Sequence, residues 1–184
     1  MNGMTQRKGN SSDVRPGLRT FHIRHPFNAT DPPNTERETI PMASNTFKSL
    51  VDTTYDSVEG YRTAAEKAES PQLQQQLQQR AQQREQTLQQ MNAELQRQGD
   101  DLVTKGTMTG EAHQMFASIA NAFQDGDSAA ANRVEEGEDY IKNKFSEALE
   151  GGQLEASERS VVQSAYDEIC QGERFGDRIE QQQS

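Results

Sequence analysis

The chain has 184 residues, 31% of them hydrophobic, with a mean hydropathy of -1.01 and a net charge of -10. That is room for one domain and a tail, and a chain this polar folds only where its few apolar residues line up on helix faces. Residues 1–42 hold six Lys/Arg against four acids, and residues 43–184 hold thirteen against twenty-five. So acidic a body argues against binding nucleic acid or anionic lipid, whose phosphates would repel it.

In residues 1–42, Gly, Pro, Asn and Ser recur at close intervals, as in Arg15-Pro16-Gly17 and Asp31-Pro32-Pro33. No periodic stripe survives those breaks, and the segment is expected to be a disordered or loosely ordered tail. His22 and His25 are three apart, but Pro26 argues against the helix that would make them a metal pair. No stretch reaches the roughly 20 apolar residues of a membrane span, and the basic N-terminus lacks the apolar run of a secretory signal. The single cysteine, Cys170, cannot form an internal disulfide. A cytoplasmic home and no membrane contact are the expectations.

From Ser44 the pattern becomes helical, and residues 43–184 read as a bundle. The first predicted helix, about 44–69, carries Phe47, Val51, Thr54, Val58, Tyr61, Ala65 and Ala68 on one face and stops at Ser70-Pro71. The second, about 71–98, is glutamine-rich, yet Leu73, Leu77, Ala81, Leu88, Met91 and Leu95 share a stripe that a plain glutamine tract would lack. Residues 99–109 read as a loop. The third helix, about 110–124, presents His113, Phe116, Ile119, Ala120 and Phe123, and Asp125-Gly126-Asp127 forms a turn. The fourth, about 128–150, presents Val134, Glu138, Ile141, Phe145 and Leu149 and stops at Gly151-Gly152. A fifth, about 154–175, carries Leu154, Val161, Val162, Ala165, Ile169 and Cys170. Short links make consecutive helices antiparallel, and no strand signal occurs.

Polar side chains interrupt these stripes at Arg84, His113 and Glu138, and Glu59 sits at the edge of the first stripe beside Val58. Burying such groups unpaired costs several kcal/mol, so they should meet one another, water or a metal. Measured from the turns at Ser70 and Gly126, Glu59 is level with Ala81, between Arg80 and Arg84, and His113 is level with Glu138 to within about 2 Å. Two inward pairs are therefore expected, Glu59–Arg84 and His113–Glu138. Glu135 and Glu138 lie three apart on one face of the fourth helix. Di-iron carboxylate bundles use a Glu from two helices and Glu-x-x-His from the other two. Here Glu138 stands where that His would be, and the second helix has no Glu-x-x-His, so a full site of that kind cannot be assembled.

Each position also has a plain structural reading. Glu59–Arg84 reads as an ion pair, His113 as a core histidine bonded to a carboxylate, and the acidic run on the fourth helix as a solvated face. Gly137 in mid-helix costs about 1 kcal/mol relative to Ala and calls for a close neighbour. The four tyrosines read as core or rim residues and Cys170 as a small buried hydrophobe.

The segments FKSLVDTTYDSVEGYRTAAEKAES (47–70), GTMTGEAHQMF (106–116) and VEEGEDYIKNKFSEAL (134–149) resemble a bacterial ferritin-like family of four-helix-bundle proteins, domain of unknown function 2383. Tyr55, Glu59, Gly60 and Tyr61, and the Glu-Gly-Glu-Asp element at 136–139, are the most distinctive parts. The resemblance spans roughly 44–150. It implies an all-α, ferritin-like antiparallel four-helix bundle with an additional C-terminal helix. It also implies an association with stress-related bacterial genes, and no established activity. Two functions are then expected as alternatives. One is a non-standard metal site of Glu59, His113, Glu135 and Glu138, whose hard ligands suit iron or manganese, with zinc a third candidate. The other is a non-catalytic structural or interaction bundle with a buried network of Glu59, Arg84, His113 and Glu138. In the second, the glutamine surface and a free fifth helix serve homo-oligomer formation or partner binding.

Overall fold

The computed structural model describes residues 42–106 and 110–183, the side chains of 173–183 excepted. The tail expected over 1–42 lies outside the described residues but for Met42. Helix α1 spans Asn45–Lys67, α2 Pro71–Arg97, α3 Glu111–Ala122, α4 Asp127–Glu150 and α5 Ala156–Gln183, with a 3-10 turn at Phe123–Asp125 after α3. No strand occurs among the described residues.

Local chemistry sets these boundaries. Ser44 caps α1, its hydroxyl accepting the Phe47 N–H at 3.1 Å. Ser70 caps α2 in the same way, and Pro71 occupies the first turn, where its missing N–H costs nothing. Gly126, at φ 97°, turns the chain into α4. The expected stripes form the core: Phe47, Val51, Val58 and Tyr61 of α1 are buried with Leu73, Leu77, Met91 and Leu95 of α2. Val134, Ile141 and Phe145 of α4 and Val162, Ala165 and Ile169 of α5 complete it.

Hydrogen bonds at the helix ends fix the directions. The Glu158 carboxylate at the start of α5 accepts the Ser44 N–H and the Ser44 hydroxyl, each at 2.7 Å, and the Glu155 N–H at 2.9 Å. Helices α1 and α5 therefore begin at one end and run parallel. At the other end Asp127 accepts the N–H groups of Glu69 and Ser70 at 3.1 and 2.9 Å, so α2 and α4 begin together. Helix α1 packs on α2 and α3, α4 packs on α3 and α5, and α2 packs on α5. The segment from α2 to α4 is thus one long crossover, and α3 lies within it, over the seam between α1 and α4. The C-terminal helix is not a free surface: α5 packs on α2 and α4 and buries its apolar stripe.

Two glycines let α3 sit close. A Cβ on Gly60 of α1 would lie 2.6 Å from Phe116 Cβ and 3.2 Å from the Phe116 carbonyl, so the α3 backbone itself is in the way. A Cβ on Gly137 of α4 would meet only side-chain atoms, Ile119 Cδ1 at 3.1 Å and Phe116 Cε1 at 3.2 Å. Gly60→Ala is therefore expected to lose about 1–2 kcal/mol, overpacking outweighing the roughly 1 kcal/mol gained in helix propensity. Gly137→Ala should change stability by no more than about 0.5 kcal/mol, because those side chains can yield. Paired urea titrations read both, and equal losses would refute the backbone contact at Gly60.

Candidate functional site: a buried arginine–glutamate layer

The largest buried polar side chains meet halfway along the bundle. Arg80 and Arg84 are one turn apart on α2, which puts both on the face that carries Leu77, Ala81 and Leu88. Glu138 of α4 has no exposed surface and accepts four hydrogen bonds. Its Oε1 takes Arg80 Nε at 2.6 Å and the Tyr61 hydroxyl at 2.7 Å. Its Oε2 takes Arg84 Nη2 at 2.8 Å and Arg80 Nη2 at 3.1 Å. Glu168 of α5 closes the other side, accepting from Arg80 Nη1, from Arg84 Nε at 3.0 Å and from Thr87 Oγ1 at 3.1 Å. Arg84 Nη1 also reaches the Ser57 hydroxyl at 3.4 Å. All four long helices contribute.

Two guanidiniums face two carboxylates, so the layer is formally neutral. Burial works against the charge on Glu138, but Arg84 and Arg80 outweigh it and bring its pKa down from 4.5 to about 2. Burial likewise opposes the charge on Arg80, and Glu138 and Glu168 overcome it and raise its pKa. Tyr61 is pushed well above 10, by burial first and then by the Glu138 charge. Its hydroxyl is therefore a fixed donor. Gly172 of α5 leaves room for the layer, since a Cβ there would fall 1.8 Å from Arg80 Nη2.

The expected site residues separate into two groups. Arg84 and Glu138 meet, but neither meets its expected partner. Glu59 points outward and accepts from Arg62 Nη1 at 2.8 Å, because it lies one residue, about 100°, off the stripe that Val58 follows. His113 is 46% exposed and faces Asp56 of α1 with Nδ1 3.7 Å from its carboxylate, beyond hydrogen-bond reach. Glu59 and His113 line a groove between α1 and α3 with Asp56, Gly60, Thr63 and Phe116. Glu135 is half-buried on α4, one turn before Glu138.

The four expected ligands, Glu59, His113, Glu135 and Glu138, are not brought together at one point. Among the described residues no group of three or more His, Cys, Asp and Glu is placed to hold an ion. In the central layer both oxygens of Glu138 are already bonded to cations or a hydroxyl, and two guanidiniums would repel a third positive charge.

Sequence reasoning missed Arg80, Tyr61, Ser57, Thr87 and Glu168 as members of the layer. Arg80 carried a signal, standing four residues before Arg84 and hence on the same face. Glu168 carried one too, three residues after Ala165 and next to Ile169 in the α5 stripe.

Neither the curated proteins nor the solved structures include a match to this chain. The family model described as Domain of unknown function (DUF2383) matches residues 42–151, from the residue before Ala43 to the glycine that ends α4. With more than half of its length under that match, the chain belongs to this family.

Proposed function

We propose that the protein is a non-catalytic helical bundle, a structural or interaction module whose centre is an ion layer where related architectures hold metal. The single crossover is the connectivity of ferritin-like bundles, and it supports the ferritin-like expectation. The observation that carries the reading is the saturation of Glu138 by Arg80, Arg84 and Tyr61. A carboxylate already neutralised in this way offers no lone pair to iron or manganese without dismantling three helices' contacts. The layer serves to fix helix register, because sliding α2, α4 or α5 by one turn would pull a buried charge away from its partners. Outward, α2 presents uncharged glutamines such as Gln75, Gln79, Gln82, Gln86 and Gln90, all exposed. Such a surface suits hydrogen-bonded contact with another protein better than binding of nucleic acid.

The test is anaerobic titration of chelator-free protein with ferrous iron and with manganese, followed by thermal melting. The metals are expected to leave Tm unchanged and to bind at no defined stoichiometry. A ligand at about 100 times its Kd adds roughly 2.7 kcal/mol to the native state. A stoichiometric uptake with the corresponding rise in Tm, lost in Glu138→Gln, would replace this reading with a metal site.

A further inference from the structure

The charges of the central layer are segregated by hairpin. Both cations, Arg80 and Arg84, belong to the α1–α2 hairpin, and both anions, Glu138 and Glu168, belong to the α4–α5 hairpin. Each half carries two like charges whose counterions lie on the other. Two copies of the same half would bring together four guanidiniums or four carboxylates, which a low-dielectric layer does not tolerate. Only unlike halves fit.

We propose that this layer is a recognition code between exchangeable halves, so that the α1–α2 hairpin of one copy can seat on the α3–α5 half of a second copy of this chain. Nothing in the code distinguishes a half of the same chain from that of another copy. The halves are joined by one connection, residues 98–110. Its first part stays with α1–α2: Asp100 accepts the Ala43 N–H at 2.6 Å and pairs with Lys48 at 2.7 Å, and Asn92 holds Val103 through bonds of 2.8 and 3.0 Å. Seven residues, the length of the remainder, span at most roughly 23 Å when fully extended, about the width of two packed helices. That is enough to reach a bundle alongside. Helix α3 travels with α4, to which it is joined through the turn at Gly126, and the Gly60 seat for Phe116 is the same on either copy. The result is a reciprocal dimer in which every buried contact of the single chain is remade. The inference stands or falls separately from the metal-free reading proposed above.

The test uses two full-length variants. One carries Arg80→Glu and Arg84→Glu, the other Glu138→Arg and Glu168→Arg. Each alone has a layer of four like charges and is expected to show neither a cooperative melt nor the wild-type helical signal. In an exchanged pair, however, the unaltered α1–α2 hairpin of the second meets the unaltered α3–α5 half of the first. Refolding the two together should therefore give a 1:1 heterodimer by light scattering, with helical signal and a cooperative melt restored. If the mixture stays as unfolded as its components, the halves do not exchange. If either variant folds alone as a monomer, the layer is not the code. Both results overturn the proposal.

Discussion

Glu138→Ala is expected to destabilise the protein by about 3–5 kcal/mol, the usual result of removing one partner from a buried ion network. The cost comes from what remains. Arg80 is 2% exposed and Arg84 has no exposed surface, so water cannot replace the lost carboxylate. Tyr61 would lose its acceptor in the same step. Against a total stability of roughly 5–15 kcal/mol this removes a large share, and Tm should fall by about 10 °C or more. Glu168→Ala should cost less, since the Glu168 side chain is 21% exposed and solvent reaches the gap. Urea unfolding of the two variants beside the wild type measures the difference. A Glu138→Ala loss no larger than that of an ordinary surface substitution, about 0.5 kcal/mol, would mean the layer does not hold the bundle.

Acid should weaken the fold through the same residue. The folded pKa of Glu138, about 2, lies below its ordinary 4.5. A carboxylate depressed in the folded state contributes stability that is complete above the unfolded pKa and lost as pH falls through the folded one. The contribution, on the order of 3 kcal/mol, is therefore intact at pH 7 and disappears between about pH 5 and pH 2. Glu111 is also lowered, by its hydrogen bond to Lys144, but it lies at the surface, where solvent screens the pair. Urea midpoints taken at steps from pH 7 to pH 2.5 should decline steeply in the wild type and more gently in Glu138→Gln. Parallel declines would assign the acid sensitivity to other groups.

The helices were legible because burial obeys period. In α2, where most residues are glutamine, the leucines, Met91 and Ala81 still mark the inner face, and Arg84 shows itself as the polar residue on it. Height along the bundle was legible as well. Reckoned from the Ser70 turn, residue 57 is level with residue 83, and the structure joins Ser57 to Arg84. Rotation was the weak point. Glu59 has the right height, but it faces away from Ser57 and Tyr61, since two residues turn a helix by about 200°. His113 fails in the same manner, level with α4 yet turned toward Asp56. The part played by α5 could not be read from stripes alone. Which long helix takes Glu168 as its neighbour depends on the crossover, and a loop with two glycines does not announce which way it crosses.

The bond from Glu158 to Ser44 has a mechanical meaning. The chain enters the bundle at Ser44, and there its amide and hydroxyl are fastened to a fully buried carboxylate 114 residues away. A pull on the chain at Met42 therefore meets the Asp100 bond to the Ala43 N–H first and the two Glu158 bonds at Ser44 next, before the first turn of α1 can unwind.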